Sequence, residues 1–219
     1  MTTQVPAAAL AGVPAGVQAQ GVWMGRRQLF VRFAGEAETA TMYTAVALHR
    51  EIDRQLARSQ FHSVAIGGRD PLGNIAFLLS AFSEAPLALP VMLDTDGQRP
   101  EALALLAPHL AMAQVTVEFS GSDAMMANAI KTLVAATAAG CPHALVLCPR
   151  EDTTDGQLMR IVEGAHIASS TTRIIVHPPF PLGDSPMLDR RWAGLLEHAV
   201  GTHADTRLSL RLPPPTGLR

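Results

Sequence analysis

Apolar positions along this chain alternate between two spacings, and the alternation repeats. Gln28 to Phe33 (QLFVRF) reads as a strand, and Thr41 to Arg58 carries apolar residues at helical spacing. His62 to Ile66 is a short strand, Gly67 to Asn74 a Gly-rich turn, and Ile75 to Phe82 a helix. Leu87 to Leu93 is apolar enough for a strand buried on both faces. Met112 to Phe119, His143 to Leu147, Arg173 to Val176 and Arg207 to Leu212 continue the strand series. Glu101 to Leu106, Asp123 to Ala138, Thr154 to His166 and Arg190 to His203 continue the helices.

This βα repeat predicts an α/β fold, with a parallel sheet built through right-handed crossovers. It allows a doubly wound sheet or a complete or partial (β/α) barrel, and periodicity alone does not choose between them. In each, ligands gather at the carboxyl ends of the strands. The loops Phe33 to Tyr43, Gly67 to Leu72, Asp94 to Gly97 and Glu118 to Ser122 are therefore the ones to inspect. Residues Met1 to Gln20 are rich in Ala, Gly, Val and Pro with little periodicity, which predicts a flexible N-terminal arm over residues 1–20. A single α/β domain is expected over residues 21–219.

Composition narrows the function classes. With 219 residues, 48% hydrophobic and 16% charged, the chain is large enough to bury one substantial core. A formal charge of -2 and only 5% aromatic residues give no basic, aromatic-studded surface for nucleic acid, so no nucleic-acid partner is expected. No apolar run is long enough to span a bilayer and no secretory signal pattern opens the chain, so no membrane association and a cytoplasmic location are expected. The mean hydropathy of +0.19 suits a protein interface, either with a partner chain or in a homo-oligomer. The only cysteines, Cys141 and Cys148, flank one strand at an odd offset, which sends them to opposite faces and leaves them as free thiols rather than a metal site. The histidines show no metal-ligand spacing, and no Walker loop, Gly-x-Ser-x-Gly elbow or His-Glu-x-x-His segment occurs.

The stretch Gln20-Gly21-Val22-Trp23-Met24-Gly25-Arg26-Arg27, followed by the first strand and Ala34-Gly35, resembles the opening of 7-carboxy-7-deazaguanine synthases and related organic-radical-activating enzymes of the radical SAM class. Gly67-Gly68-Arg69-Asp70-Pro71-Leu72 is similar to that family's Gly-Gly-Glu-Pro-Leu loop, with one residue inserted. Leu93-Asp94-Thr95-Asp96-Gly97 is similar to its Leu-Glu-Thr-Asn-Gly strand end. The resemblance implies a partial (β/α) barrel of the radical SAM type, with parallel strands and outer helices. It also implies a CxxxCxxC loop holding a [4Fe-4S] cluster directly after the first strand. Here the three ligand positions fall on Glu36, Ala40 and Tyr43, and none is a thiolate.

The resemblance therefore implies a protein with no [4Fe-4S] cluster and weak or absent SAM binding. That describes a non-catalytic binding or partner subunit, by analogy in a pathway of pterin-like or deazapurine-like compounds. The alternative is a cluster-independent enzyme that uses the residual strand-end pocket for a small pterin-like or nucleoside-like ligand. The residues expected to line that pocket are Gly67, Gly68, Asp70, Asp94, Asp96 and Glu118. Gly67 and Gly68 would present backbone N–H groups to an anion, or merely turn the chain. Asp94 and Asp96 would grip a ribose or a cation, or serve as turn residues before Gly97. Arg26, Arg27 and Arg32 form either an anion pocket or a solvated charge cluster.

Overall fold

A computed structural model describes residues 5–119, 123–179 and 186–209. Its centre is a run of seven strands that pair parallel in chain order. These are β3 (Arg27–Phe33), β5 (Ser63–Gly68), β6 (Val91–Thr95), β7 (Met112–Glu118), β8 (His143–Cys148), β9 (Arg173–Val176) and β10 (Thr206–Leu208). Helices α1 (Ala45–Leu56), α2 (Ile75–Glu84), α3 (Pro100–Leu106), α4 (Asp123–Ala138), α5 (Asp155–Ala168) and α6 (Pro186–Thr202) connect them.

The helices pack against one another in the same order, α1 on α2 through α5 on α6. A sheet wound in one direction by right-handed crossovers carries its helices on one face. The strands show this directly. Leu29, Val64, Leu93, Ala113, Leu145 and Ile174 are buried toward the helices, whereas Phe30, Ala65, Met92, Met112, Ala144 and Ile175 pack together on the other face.

Residues 5–20, the described part of the segment expected as a flexible arm, contain two strands. Ala7–Gly12 is a strand, β1, lying antiparallel to β3, and Ala15–Val17 continues along the same edge as β2 after a break. Ala8 and Leu10 are buried, so a segment of poor strand propensity is held by cross-strand pairing and by the core beneath it. The Thr41–Thr44 stretch, expected as the start of a helix, is instead strand β4, paired antiparallel with β1. The helix starts where the Thr44 hydroxyl accepts the Ala47 N–H as an N-cap. The sixth strand of the chain begins at Val91 rather than Leu87.

The architecture is thus a mixed α/β arrangement with a mostly parallel sheet and flanking helices. Among the described residues the strand path is open, running from β10 to β4. The segment expected as a strand over Arg207 to Leu212 extends past residue 209, outside the described residues, as does part of the Glu118 to Ser122 loop.

The face away from the helices is covered by the loop joining β2 to β3. Backbone bonds from Gln18 N–H to the Arg26 carbonyl and from Gly25 N–H to the Gln18 carbonyl close its base. From there it reaches across five strands. Gln18 touches Met92, and the Gln20 amide donates to the Thr116 hydroxyl and accepts from the Cys148 thiol. Gly21 N–H donates to His177 Nε2 at 3.1 Å, and Ser209 meets Met24. The His177 Nδ1–H donates to the Ser209 carbonyl at 2.7 Å, which leaves Nε2 as the acceptor for Gly21.

Candidate functional site

The carboxyl ends of β5, β6 and β7 open into a cleft of about 570 Å³. That is within the usual range of small-molecule sites. Gly68, Asp70, Asp94, Asp96 and Glu118, all expected from the sequence, line it together with Arg69, Thr116, Arg99, Gln98 and Met125.

The fold puts these residues to different uses. Gly68 sits at φ +97°, and a Cβ there would lie 2.4 Å from the Phe33 carbonyl oxygen, so its glycine is required by close backbone approach. Gly67 sits beside Asp94, where a Cβ would make an ordinary 3.7 Å contact with the Asp94 Cβ.

Asp70 adopts a left-handed backbone at φ 41° and accepts the Gly73 N–H at 3.0 Å. Its two carboxylate oxygens also take the Arg99 guanidinium in a fork, at 2.7 and 2.6 Å. The Arg99 hydrogen bonds, first, and its charge hold the Asp70 carboxyl below the usual range. Asp70 thus ties the turn after β5 to Arg99 at the start of α3 while it lines the cleft.

Asp94 is half-buried at the end of β6 and accepts the Thr116 hydroxyl of neighbouring β7 at 2.6 Å. Asp96 is exposed and accepts the Gln98 N–H at 3.1 Å, an Asx turn over Gly97. Glu118 stands exposed at the end of β7, two residues past Thr116 and therefore on the same face. Period-two reading back from Glu118 is the signal that identifies Thr116. No local pattern links Arg99 to Asp70, which are 29 residues apart.

Of the three positions that the resemblance assigns to cluster ligands, only the first approaches a cleft residue. Glu36 is an exposed turn residue whose carboxylate lies 4.0 Å from Arg69. Ala40 is exposed just before β4. Tyr43 is within β4, opposite Ala8, and packs against the core. Of the arginines, Arg32 pairs with Glu38 at 2.7 Å and Arg27 lies over the Phe61 ring, so they do not converge on one anion. Cys141 faces the helix side and Cys148 the opposite side, as strand parity requires.

The structure is thus a mostly parallel α/β sheet with a polar cleft where the carboxyl ends of β5 to β7 meet, the place where open sheets of this class generally take ligands. No family model matches the chain. It is similar to the 7-carboxy-7-deazaguanine synthase of Methanothermobacter thermautotrophicus, 30% identical over 118 residues, which cover 48% of this chain and 47% of that protein. The chain thus spans about half the length of this curated relative, and the similarity supports a relationship to it. No helix among the described residues is long and apolar enough to cross a membrane.

Proposed function

We propose that this chain is a partial-barrel scaffold of the radical SAM type that works without an iron–sulfur cluster, as a binding or partner subunit in a pathway of pterin-like or deazapurine-like compounds. The observation that carries this reading is the chemistry of the segment after β3. The side chains at the three ligand positions end in a carboxylate, a methyl group and a phenol, none suited to iron–sulfur ligation. Its end is committed to strand pairing between β4 and β1, so Tyr43 contributes to the core rather than to a ligand loop. The residues present do not fit a [4Fe-4S] cluster.

The cleft supports a small polar ligand. Asp94 and Thr116 offer paired acceptor and hydroxyl groups, Glu118 adds a carboxylate, and Met125 adds an apolar wall. Without a cluster to chelate its amino and carboxylate groups, SAM would depend on a few charge-assisted contacts of about 1–3 kcal/mol each. After the ordering cost that leaves weak affinity, toward about 1 mM. A second reading, favoured by the Asp94–Thr116 contact inside the cleft, is a cluster-independent enzyme acting on a pterin-like or nucleoside-like molecule. A cytoplasmic location accords with either reading.

Anaerobic reconstitution with iron and sulfide, followed by calorimetric titration with SAM, tests the proposal. The expected result is no stoichiometric cluster and no SAM dissociation constant below about 10 μM. A tighter constant that Asp94→Ala abolishes would overturn the non-catalytic reading and put the cluster-independent enzyme first.

A further inference from the structure

The chain's histidines are scattered in sequence, yet the fold brings two of them together at the end of the sheet opposite the cleft. His166 stands in the last turn of α5, and His203 directly follows α6. Their Nδ1 atoms are 3.3 Å apart and their rings are nearly perpendicular, at 80°.

The two imidazoles are held very differently. His203 is 1% exposed and donates its Nε2–H to the Thr172 carbonyl. A carbonyl only accepts, so this bond fixes the tautomer and turns the Nδ1 lone pair of His203 toward His166. Thr172 is itself anchored, because its hydroxyl donates to His143 Nε2 at 2.9 Å while His143 Nδ1–H donates to the Cys141 carbonyl at 2.8 Å. His166 faces this prepared lone pair from the exposed side.

Two ring nitrogens at that distance need either a proton or a cation between them. A tetrahedral zinc ion with Zn–N bonds of about 2.0–2.1 Å separates two ligand nitrogens by roughly 3.3–3.4 Å, the spacing found here. A backbone carbonyl behind the ligating ring is the usual support for such a ligand. We propose that His166 and His203 form a two-imidazole site for a divalent first-row transition ion such as zinc, with water in the remaining positions. Nitrogen donors select zinc, nickel, cobalt or copper over magnesium and calcium. Among the described residues no third His, Cys, Asp or Glu joins the pair, so the site is open-sided and of modest affinity. A bound ion would staple the end of α5 to the segment between α6 and β10. This inference is independent of the function proposed above.

The test is a cobalt(II) titration of the chelator-treated full-length protein, read by visible absorption and by the nitrogen-15 resonances of the imidazoles. One equivalent is expected to bind with shifted Nδ1 signals from two histidines, and His166→Gln is expected to weaken it by roughly tenfold or more. His166 is exposed, so His166→Gln retains the fold, which circular dichroism checks; His203→Asn provides a second variant. Zinc should also raise the melting temperature of the parent and not of His166→Gln. Absence of saturable uptake up to about 1 mM, or affinity unchanged in His166→Gln, would overturn the proposal and leave a shared proton as the meaning of the contact.

Discussion

The two faces of the central sheet are sealed by different means. On one, consecutive helices lie over alternating branched side chains such as Leu29, Val64, Leu145 and Ile174 in a close-packed apolar layer. On the other, a single loop, residues 18–26, spans from β6 to the end of β10 over a mixture of Met92, Thr116, Cys148 and His177. Beneath it, the Gln114 side chain is fully buried with both amide atoms lacking a hydrogen-bond partner, and the Gln28 carbonyl oxygen is likewise unmatched. A Cβ on Gly21 would fall 1.7 Å from the Gln114 oxygen, so the loop crosses at the one residue type that fits. The helix side is optimised for burial, and the loop side keeps polar groups at a cost to stability. Such polar groups are what a strand-end cleft draws on.

Adjacent strands offer a direct test of that contrast. Leu145 on β8 and Gln114 on β7 are both fully buried on opposite faces. The largest effect is expected for Leu145→Ala, which opens a cavity in the apolar layer and should lower unfolding free energy by about 2–5 kcal/mol in urea titration. If the two faces were equivalent, Gln114→Met would also destabilise. Instead it removes an unmatched amide at similar volume and is expected to be neutral or stabilising by up to about 1–2 kcal/mol.

The smallest effect is expected at the cleft rim. Because Asp70 has a depressed folded-state pKa, its contribution is present above the ordinary Asp range and is lost as pH falls through the folded value. Both partners are well exposed, so Asp70→Asn should cost at most about 1 kcal/mol at neutral pH, less in high salt, with no difference from the parent in strong acid. Urea midpoints across pH and salt measure it, and a cost that persists in acid would place the effect in the Gly73 turn rather than the Arg99 pair.

The helix-facing side was largely legible in the sequence because strands such as Arg27–Phe33 and His143–Cys148, expected over Gln28 to Phe33 and His143 to Leu147, and the helices between them announce themselves by period. The opposite side was not. Ala7–Gly12 is too poor in branched residues to signal a strand, and Thr41–Thr44 runs into an amphipathic helix that absorbs it in any periodicity reading. At the cleft, Asp94, Asp96 and Glu118 follow from their positions at strand ends, but the partners that decide their chemistry are remote. Arg99 occupies Asp70, and Thr116 serves Asp94, through contacts between separate crossovers. The meeting of His166 with His203 is of the same kind, 37 residues apart and set by how α5 and α6 pack.

The loop over the sheet also fixes the order in which the molecule can be completed. Gly21 bonds to a residue 156 positions later, and Met24 touches one 185 positions later. The parallel strands can pair progressively as the chain emerges during synthesis, each with the one before it. The loop residues are then seated only after the strands that follow them, since their partners at His177 and Ser209 come later in the chain. Loop closure over such distances slows folding. Until that docking, Met92, Met112 and Ile175 stay open to solvent, so the emerging chain carries an apolar surface until its later strands are in place.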